Sequence, residues 1–245
     1  GQRVQKVQRY SFQRPFTEKY RLGTGWDAWR NGDEAKIKRA TVAIQPAKRL
    51  AIRGVPSPDF RIADPVGMIA RGQFRAGPAP AKVWKDRALT NIGPELKGFP
   101  EAELGAVPTT EYQSFKTVGM QSPAPSTRQA ELGSGDFVTF DLGVNLTGFM
   151  GAEIACREPT RVWLVFDEIL RDGDVDALRL RCSNIVEYRL GPGDFALETI
   201  EPYTLRYLKI IAVEGSCQIK RAYLREYSHP PVAARFNASD PRLNK

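Results

Sequence analysis

Histidine occurs once in this chain, at His229, and that scarcity excludes several kinds of chemistry. A metal site built on several histidines cannot form. A Ser-His-Asp triad could rest only on His229, which sits in the proline corner Ser228-His229-Pro230 and reads as structural. Cysteine is also sparse: Cys156, Cys182 and Cys217 form no CxxC pair and fall in strand-like segments. Buried free thiols fit that placement, and one disulfide with a thiol left over fits an exported protein. Neither GxGxxG nor GxxxxGK[ST] occurs, so a nucleotide cofactor has no support. No apolar run approaches the length of a membrane span. The chain opens with Gly1 in place of Met, and Gly1-Gln2-Arg3-Val4 holds no apolar signal core, so the natural N-terminus is expected to have been removed.

What is present suits a soluble β protein. The 245 residues suffice for one large β domain or two smaller ones, and 42% hydrophobic with 26% charged residues is the balance of a globular chain. The net charge of +8 is unevenly spread. Residues 1–100 hold 20 Lys and Arg against 8 Asp and Glu, whereas residues 101–245 hold 16 against 20. The basic residues are scattered without a run, and no nucleic-acid motif accompanies them. They read as a solvated surface facing a neighbouring domain, with no nucleic-acid or membrane partner; polyanion binding is the alternative.

Strand periodicity is clearest in the second half. Val138, Phe140 and Leu142 alternate along one strand face. Val162, Leu164 and Phe166 do so again, with Trp163 and Val165 opposite. Further strands are expected over 185–190, 195–200, 205–213 and 218–227. Turns at Arg171-Asp172-Gly173-Asp174, Gly191-Pro192-Gly193-Asp194 and Glu214-Gly215-Ser216 separate them. This spacing predicts an all-β fold: an antiparallel β-sandwich or jelly roll over 130–230. A β-rich, irregular N-terminal region over 1–129 precedes it. There Val4–Tyr10, Thr41–Ile44 and Arg49–Ile52 read as strands, and Val83–Arg87 with Trp84 as a buried anchor. Eight prolines between Arg53 and Pro108 exclude long helices and favour extended chain with one or two short strands. Gln121 to Thr127 is a linker by composition. Residues 231–245 form a second linker and the start of a helix, with Ser239-Asp240 as cap and Pro241 in the first turn.

Candidate chemistry is thin. Asp172-Gly173-Asp174-Val175-Asp176 alternates carboxylates as a calcium loop does, but Ala177 and Ser183 stand where an EF-hand needs Gly and Glu. A hairpin turn is the simpler reading, with an irregular calcium site as the alternative. Asp167-Glu168 could pose as a glycosidase pair, yet neighbouring strand residues point to opposite faces and cannot straddle one glycosidic bond. Glu168 is expected to reach toward a neighbouring domain, and Asp167 to meet a loop or an arginine. Trp26, Trp29 and Tyr203 are the rings that could stack on a sugar; core filling is the competing role.

Several motifs in order resemble the β portion of bacterial α-L-rhamnosidases. They are Phe140-Asp141-Leu142-Gly143-Val144-Asn145 with Gly148-Phe149, Phe166-Asp167-Glu168-Ile169-Leu170, Arg179-Leu180-Arg181-Cys182, Glu201 to Lys209, and Ser239-Asp240 to Asn244. Ile52-Arg53-Gly54-Val55-Pro56 is similar to the family's segment joining an N-terminal β module to the sandwich. The resemblance implies a glycoside hydrolase that removes terminal α-L-rhamnose with carboxylates of a helical α/α barrel. That barrel would be the partner of this chain and lies outside it. Of catalytic residues the resemblance therefore carries over none. It implies a scaffold and a wall of the substrate cleft, with Glu168, Trp26, Trp29 and Tyr203 as candidate glycan contacts and a periplasmic or secreted location. The alternative is a free-standing carbohydrate-binding module.

Overall fold

The computed structural model describes residues 3–4, 7–8, 16–28, 51–52, 54–78, 80–81, 111–124, 128–230 and 236–244. The expectations for Trp29, Thr41–Ile44, Arg49, Leu50 and Val83–Arg87 with Trp84 fall outside these residues. Ala51 and Ile52 form no strand.

The described chain is all β. Short strands β1 (Arg3–Val4), β2 (Val7–Gln8), β3 (Phe16–Thr17), β4 (Lys19–Leu22) and β5 (Ile62–Ala63) lead to β6 (Gly67–Ala76), β7 (Phe115–Gln121) and β8 (Ala130–Leu132). The second half supplies β9 (Asp136–Cys156), β10 (Thr160–Asp167), β11 (Leu170–Arg171), β12 (Asp174–Val175), β13 (Ile185–Leu190), β14 (Gly193–Glu198), β15 (Tyr203–Glu214) and β16 (Cys217–Glu226). The main sheet runs β1-β4-β13-β10-β15-β9-β16-β5, with β6 and β14 on β9, β7 on β6 and β8 on β16. The pairing is antiparallel except between β4 and β13, which run parallel, so the sheet is mixed. Strands from both sides of residue 130 therefore share one sheet.

The long strand β9 explains how this sheet closes on itself. Its first half pairs with β6 and with Tyr207–Ile211 of β15, its second half pairs with β16 and β14, and Tyr203–Leu205 of β15 follow it past the bend to Leu146–Gly148. Between them Gly143 turns left-handed at φ 84°, where an added Cβ would sit 2.9 Å from Val66 Cγ1. Only glycine takes this bend without strain. The two halves then face each other across one core. Val138, Phe140, Val162, Leu164, Phe166, Leu208 and Ile210 meet Met150, Ile154, Phe195, Ile219 and Leu224 there.

A second core covers the reverse side of the first layer. Phe74, Phe137, Trp163, Val165, Ile185 and Ile211 pack there under Val175 and Ala177, with Tyr112 and Phe115 at its margin. Every residue of β10 is consequently buried, and the two apolar sets read from its alternation serve two different cores.

Three elements depart from expectation. β6 is a ten-residue strand, because the stretch between Pro65 and Pro78 is free of proline and buries Met68, Ala70 and Phe74. β7 claims Gln121, the first residue of the expected linker. β4 buries Tyr20 and Leu22 and stacks Tyr20 on Tyr188 at 4.5 Å. At the far end, where the start of a helix was expected, Pro241–Leu243 forms a 3-10 turn in which the Arg242 amide donates to the Asp240 side chain.

The turn chemistry is local and specific. Asp172 and Gly173 take φ of 51° and 81°, the doubly left-handed pair that closes β11 on β12 as a two-residue hairpin. At Gly215, between β15 and β16, an added Cβ would lie 2.5 Å from the Pro159 carbonyl oxygen.

The β11–β12 hairpin is bolted to the sheet by a buried charge. Lys209, on β15, is completely buried and donates from Nζ to both Asp174 oxygens (2.9 and 2.8 Å) and to Thr117 Oγ1 (2.8 Å). Its ammonium also lies 4.0 Å from the centroid of the Phe137 ring. Burial depresses the lysine pKa, and Asp174 pulls it back. Asp174→Ala leaves this ammonium without its counterion and is expected to cost about 3 kcal/mol in urea unfolding. The double variant Lys209→Met/Asp174→Ala recovers most of that loss. An unchanged midpoint in the single variant would show that Lys209 reaches water instead.

Candidate functional site

The residues with the most concentrated chemistry lie at one end of the first layer, on the reverse side from the main core. Asp167 of β10, Tyr207 of β15 and Asp141 of β9 are register partners in one row. Residues directly opposite each other on neighbouring strands share a face. This row therefore sets two carboxylates on either side of one phenol ring.

Each carboxylate is matched by a guanidinium. Arg206 forks onto Asp141, with Nε donating to Oδ1 at 2.8 Å and Nη2 to Oδ2 at 2.9 Å. The same guanidinium lies 5.0 Å from the Tyr207 ring centroid. Asp141 Oδ1 also accepts the Gly143 amide at 2.6 Å, so the acid holds the bend of β9 as well as the arginine. The Arg206 hydrogen bonds hold the Asp141 carboxyl below its ordinary range, against its burial and with help from Gly143.

Asp167 is 1% exposed and receives Arg179 Nε on both oxygens at 2.7 Å, together with the Glu168 amide at 2.8 Å. Burial pushes its pKa up and outweighs Arg179. Arg179 Nη2 also donates to Glu168, whose other oxygen accepts Asn145 Nδ2 at 3.0 Å. Both acids thus hold one guanidinium. Strict strand alternation would part them, but β10 ends at Asp167 and Glu168 lies in the following bend, free to turn to the same side. Arg179 itself stands on a 3-10 turn in which Leu180 is left-handed at φ 57°.

An apolar rim surrounds this charge cluster. Val66 beside the Gly143 bend, Val144 next to Asn145, Ile169 next to Glu168 and Leu180 next to Arg179 are each more than half exposed. Paired charges and exposed aliphatic side chains thus alternate along this part of the surface.

The other sequence candidates lie elsewhere. Tyr203 is 7% exposed, with its ring 4.7 Å from Phe166 and its hydroxyl donating to Glu18 Oε1 at 2.8 Å. Trp26 is half-buried on the turn after β4 and packs against the main core. Glu18 was missed by the sequence reading. It is buried and accepts the Ile200 and Glu201 amides at 2.9 Å, besides the Tyr20 and Tyr203 hydroxyls. In the Asp172–Asp176 loop, Asp174 is engaged with Lys209 and Thr117, and Asp176 accepts the Leu178 amide at 2.9 Å. Among the described residues no group of three or more His, Cys, Asp or Glu side chains converges as a metal site.

Comparison with known proteins gives structural neighbours only. The chain is similar to a rhamnosidase from Klebsiella oxytoca with rhamnose bound, at 15% identity and a TM-score of 0.47, over 77% of this chain and 33% of that one. It is similar also to a GH78 family rhamnosidase of Bacillus sp. GL1, at 17% identity and a TM-score of 0.41, over 59% of this chain and 19% of that one. A native α-L-rhamnosidase from Aspergillus terreus overlaps 48% of this chain at 16% identity, with a TM-score of 0.32. The chain therefore spans a third or less of the length of these enzymes. No protein-family model and no curated protein sequence matches it.

The Asp141–Arg206 pair has a definite pH signature. A carboxyl held below its unfolded pKa adds stability that is complete above that pKa and is lost as pH falls through the folded value. Asp141→Asn should therefore melt a few degrees lower than the parent above about pH 5, with the gap closing toward about pH 2. Calorimetry across that range checks it; a gap that persists unchanged at the acid end would assign the loss to packing.

Proposed function

We propose that the chain is the non-catalytic β portion of a glycoside hydrolase resembling α-L-rhamnosidases, acting as a scaffold and a wall of the substrate cleft. One observation carries the reading. The separate motifs behind the sequence resemblance contribute to a single cluster: Asp141, Gly143 and Asn145 from the first, Asp167, Glu168 and Ile169 from the second, Arg179 and Leu180 from the third, Arg206 and Tyr207 from the fourth. Such convergence is what an interface to a further domain requires. In this proposal a helical barrel outside these residues packs on the rim of Val66, Val144, Ile169 and Leu180 and supplies the chemistry.

The cluster's own chemistry agrees with a supporting role. Glycoside hydrolysis needs a proton donor and a second carboxylate facing each other across a sugar. Asp167 and Glu168 instead close on one guanidinium, and Asp141 is held ionised by another.

A second reading, a free carbohydrate-binding module, draws on another feature. Phe60, Phe149 and Tyr227 form a cluster with centroids 5.8 to 6.3 Å apart, and Phe60 and Tyr227 remain 40% and 46% exposed. Rings of this kind suit the apolar face of a sugar.

Assay separates the two. The pure chain is expected to give no turnover of an aryl α-L-rhamnoside, and the same chain continued into a helical barrel is expected to give it. Turnover by the chain alone would defeat the scaffold reading. Calorimetric titration of the chain with rhamnose, with and without calcium, tests the second reading: heat of binding lost in Tyr227→Ala would establish it.

A further inference from the structure

We infer that Cys156 and Cys217 are a disulfide-forming pair. They are direct register partners on the antiparallel strands β9 and β16, and both are buried free thiols of the main core. Directly opposed residues of an antiparallel pair have Cα atoms about 4.5 or 5.5 Å apart, depending on the pair class. Both separations fall inside the range of about 4.4–6.8 Å that a disulfide spans, so the register brings the two cysteines within bonding reach.

Access to the pair comes from its neighbours along the row. On the far side of Cys156 the register partner is Gly193, which has no side chain to cover the sulfur. Gly193, both cysteines, Asp194, Ser216 and Gln218 line a cleft of about 320 Å³. That space admits the end of a thiol reagent. Cys182 does not compete, since it follows the Arg179 turn near Asp167, at the opposite end of β10 from Thr160 and Cys156.

The oxidant is a small disulfide such as oxidised glutathione. The Cys156 thiolate attacks one of its sulfurs, forming a mixed disulfide and releasing one glutathione thiol. Cys217 then attacks the Cys156 sulfur, forming the protein disulfide and releasing the second. Two protein thiols are oxidised, one glutathione disulfide is reduced, and both protons leave on the released thiols. Burial pushes the Cys217 thiol up to about 12 and raises Cys156 as well. The thiolate is the attacking species, so the reaction is slow at neutral pH and accelerates as pH rises.

The test is to incubate the folded chain with oxidised glutathione at about pH 7 and about pH 9, then alkylate and map peptides. The expected product is lighter by two hydrogens, contains a Cys156–Cys217 cross-linked peptide, leaves Cys182 alkylated, and forms faster at the higher pH. Its melting point should rise by about 5 °C or more over the reduced chain, because the bond closes a long loop of the unfolded state. Cys217→Ser should abolish the intramolecular cross-link and stop at the mixed disulfide on Cys156. Three alkylatable thiols after oxidation, or a cross-link through Cys182 or between molecules, would overturn the assignment.

Discussion

The structure depends on one strand lying in two layers. β9 pairs with β6 and most of β15 before its bend and with β16, β14 and the start of β15 after it, so neither layer can be assembled without it. A strand of this length would ordinarily stay in one plane. The left-handed Gly143 and the hydrogen bond its amide donates to the Asp141 carboxylate turn it, and the exposed run Val144-Asn145 marks the corner. The charge cluster then sits relative to that corner, because Asp141 and Asn145 flank it. A side chain at position 143 would both strain the backbone and strike Val66. The bend is thus a property of the backbone before it is a property of the surface.

Burial of acids is the second constraint, and it follows from the first. A sheet covered on both sides leaves few places for the loops that cover it, and the chain fixes those loops with carboxylates, of which Glu18 and Asp167 are buried and Asp174 partly so. Glu18 ties the segment before β4 to the 200–203 turn, Asp174 ties the β11–β12 hairpin to Lys209, and Asp167 ties the Arg179 turn to the end of β10. Such pairs add little net stability over an apolar substitute, since desolvation offsets most of the Coulomb attraction. What they add is selection among alternatives. A hydrophobic hairpin can slide across an apolar face, whereas a carboxylate aimed at one buried ammonium cannot.

Much of this framework was legible in the sequence, and the limits follow from the physics. Alternation at 138–142 and 162–166 placed the core strands because a period of two is a local signal. The Asp172-Gly173 dipeptide likewise gave its hairpin, since it alone satisfies two left-handed residues in succession. β4 and β6 were not legible, because a four-residue strand held between β1 and β13 and a strand bounded by prolines carry little local signal. The charge cluster was half visible. Asp167 was expected to meet a loop or an arginine; the structure gives Arg179, whose position depends on a turn with a left-handed leucine. Glu18 was invisible for the same reason: its four donors come from Tyr20 and from residues about 180 positions away.

The placement of these pairs also bears on what the surface can do. A carboxylate that serves as a proton donor must be able to hold a proton near neutral pH and present it to a substrate. Burial does raise the Asp167 pKa, but its oxygens face Arg179 Nε and the Glu168 amide, so the environment that would tune the acid also occupies it. Glu168 remains partly exposed, yet its two oxygens meet Arg179 and Asn145. Reaching a sugar would require giving up one of those bonds. The aliphatic residues beside them would lose solvent exposure under a packed layer at no such cost. Under the proposed reading this face is covered by a further domain, and the paired charges brace it from beneath.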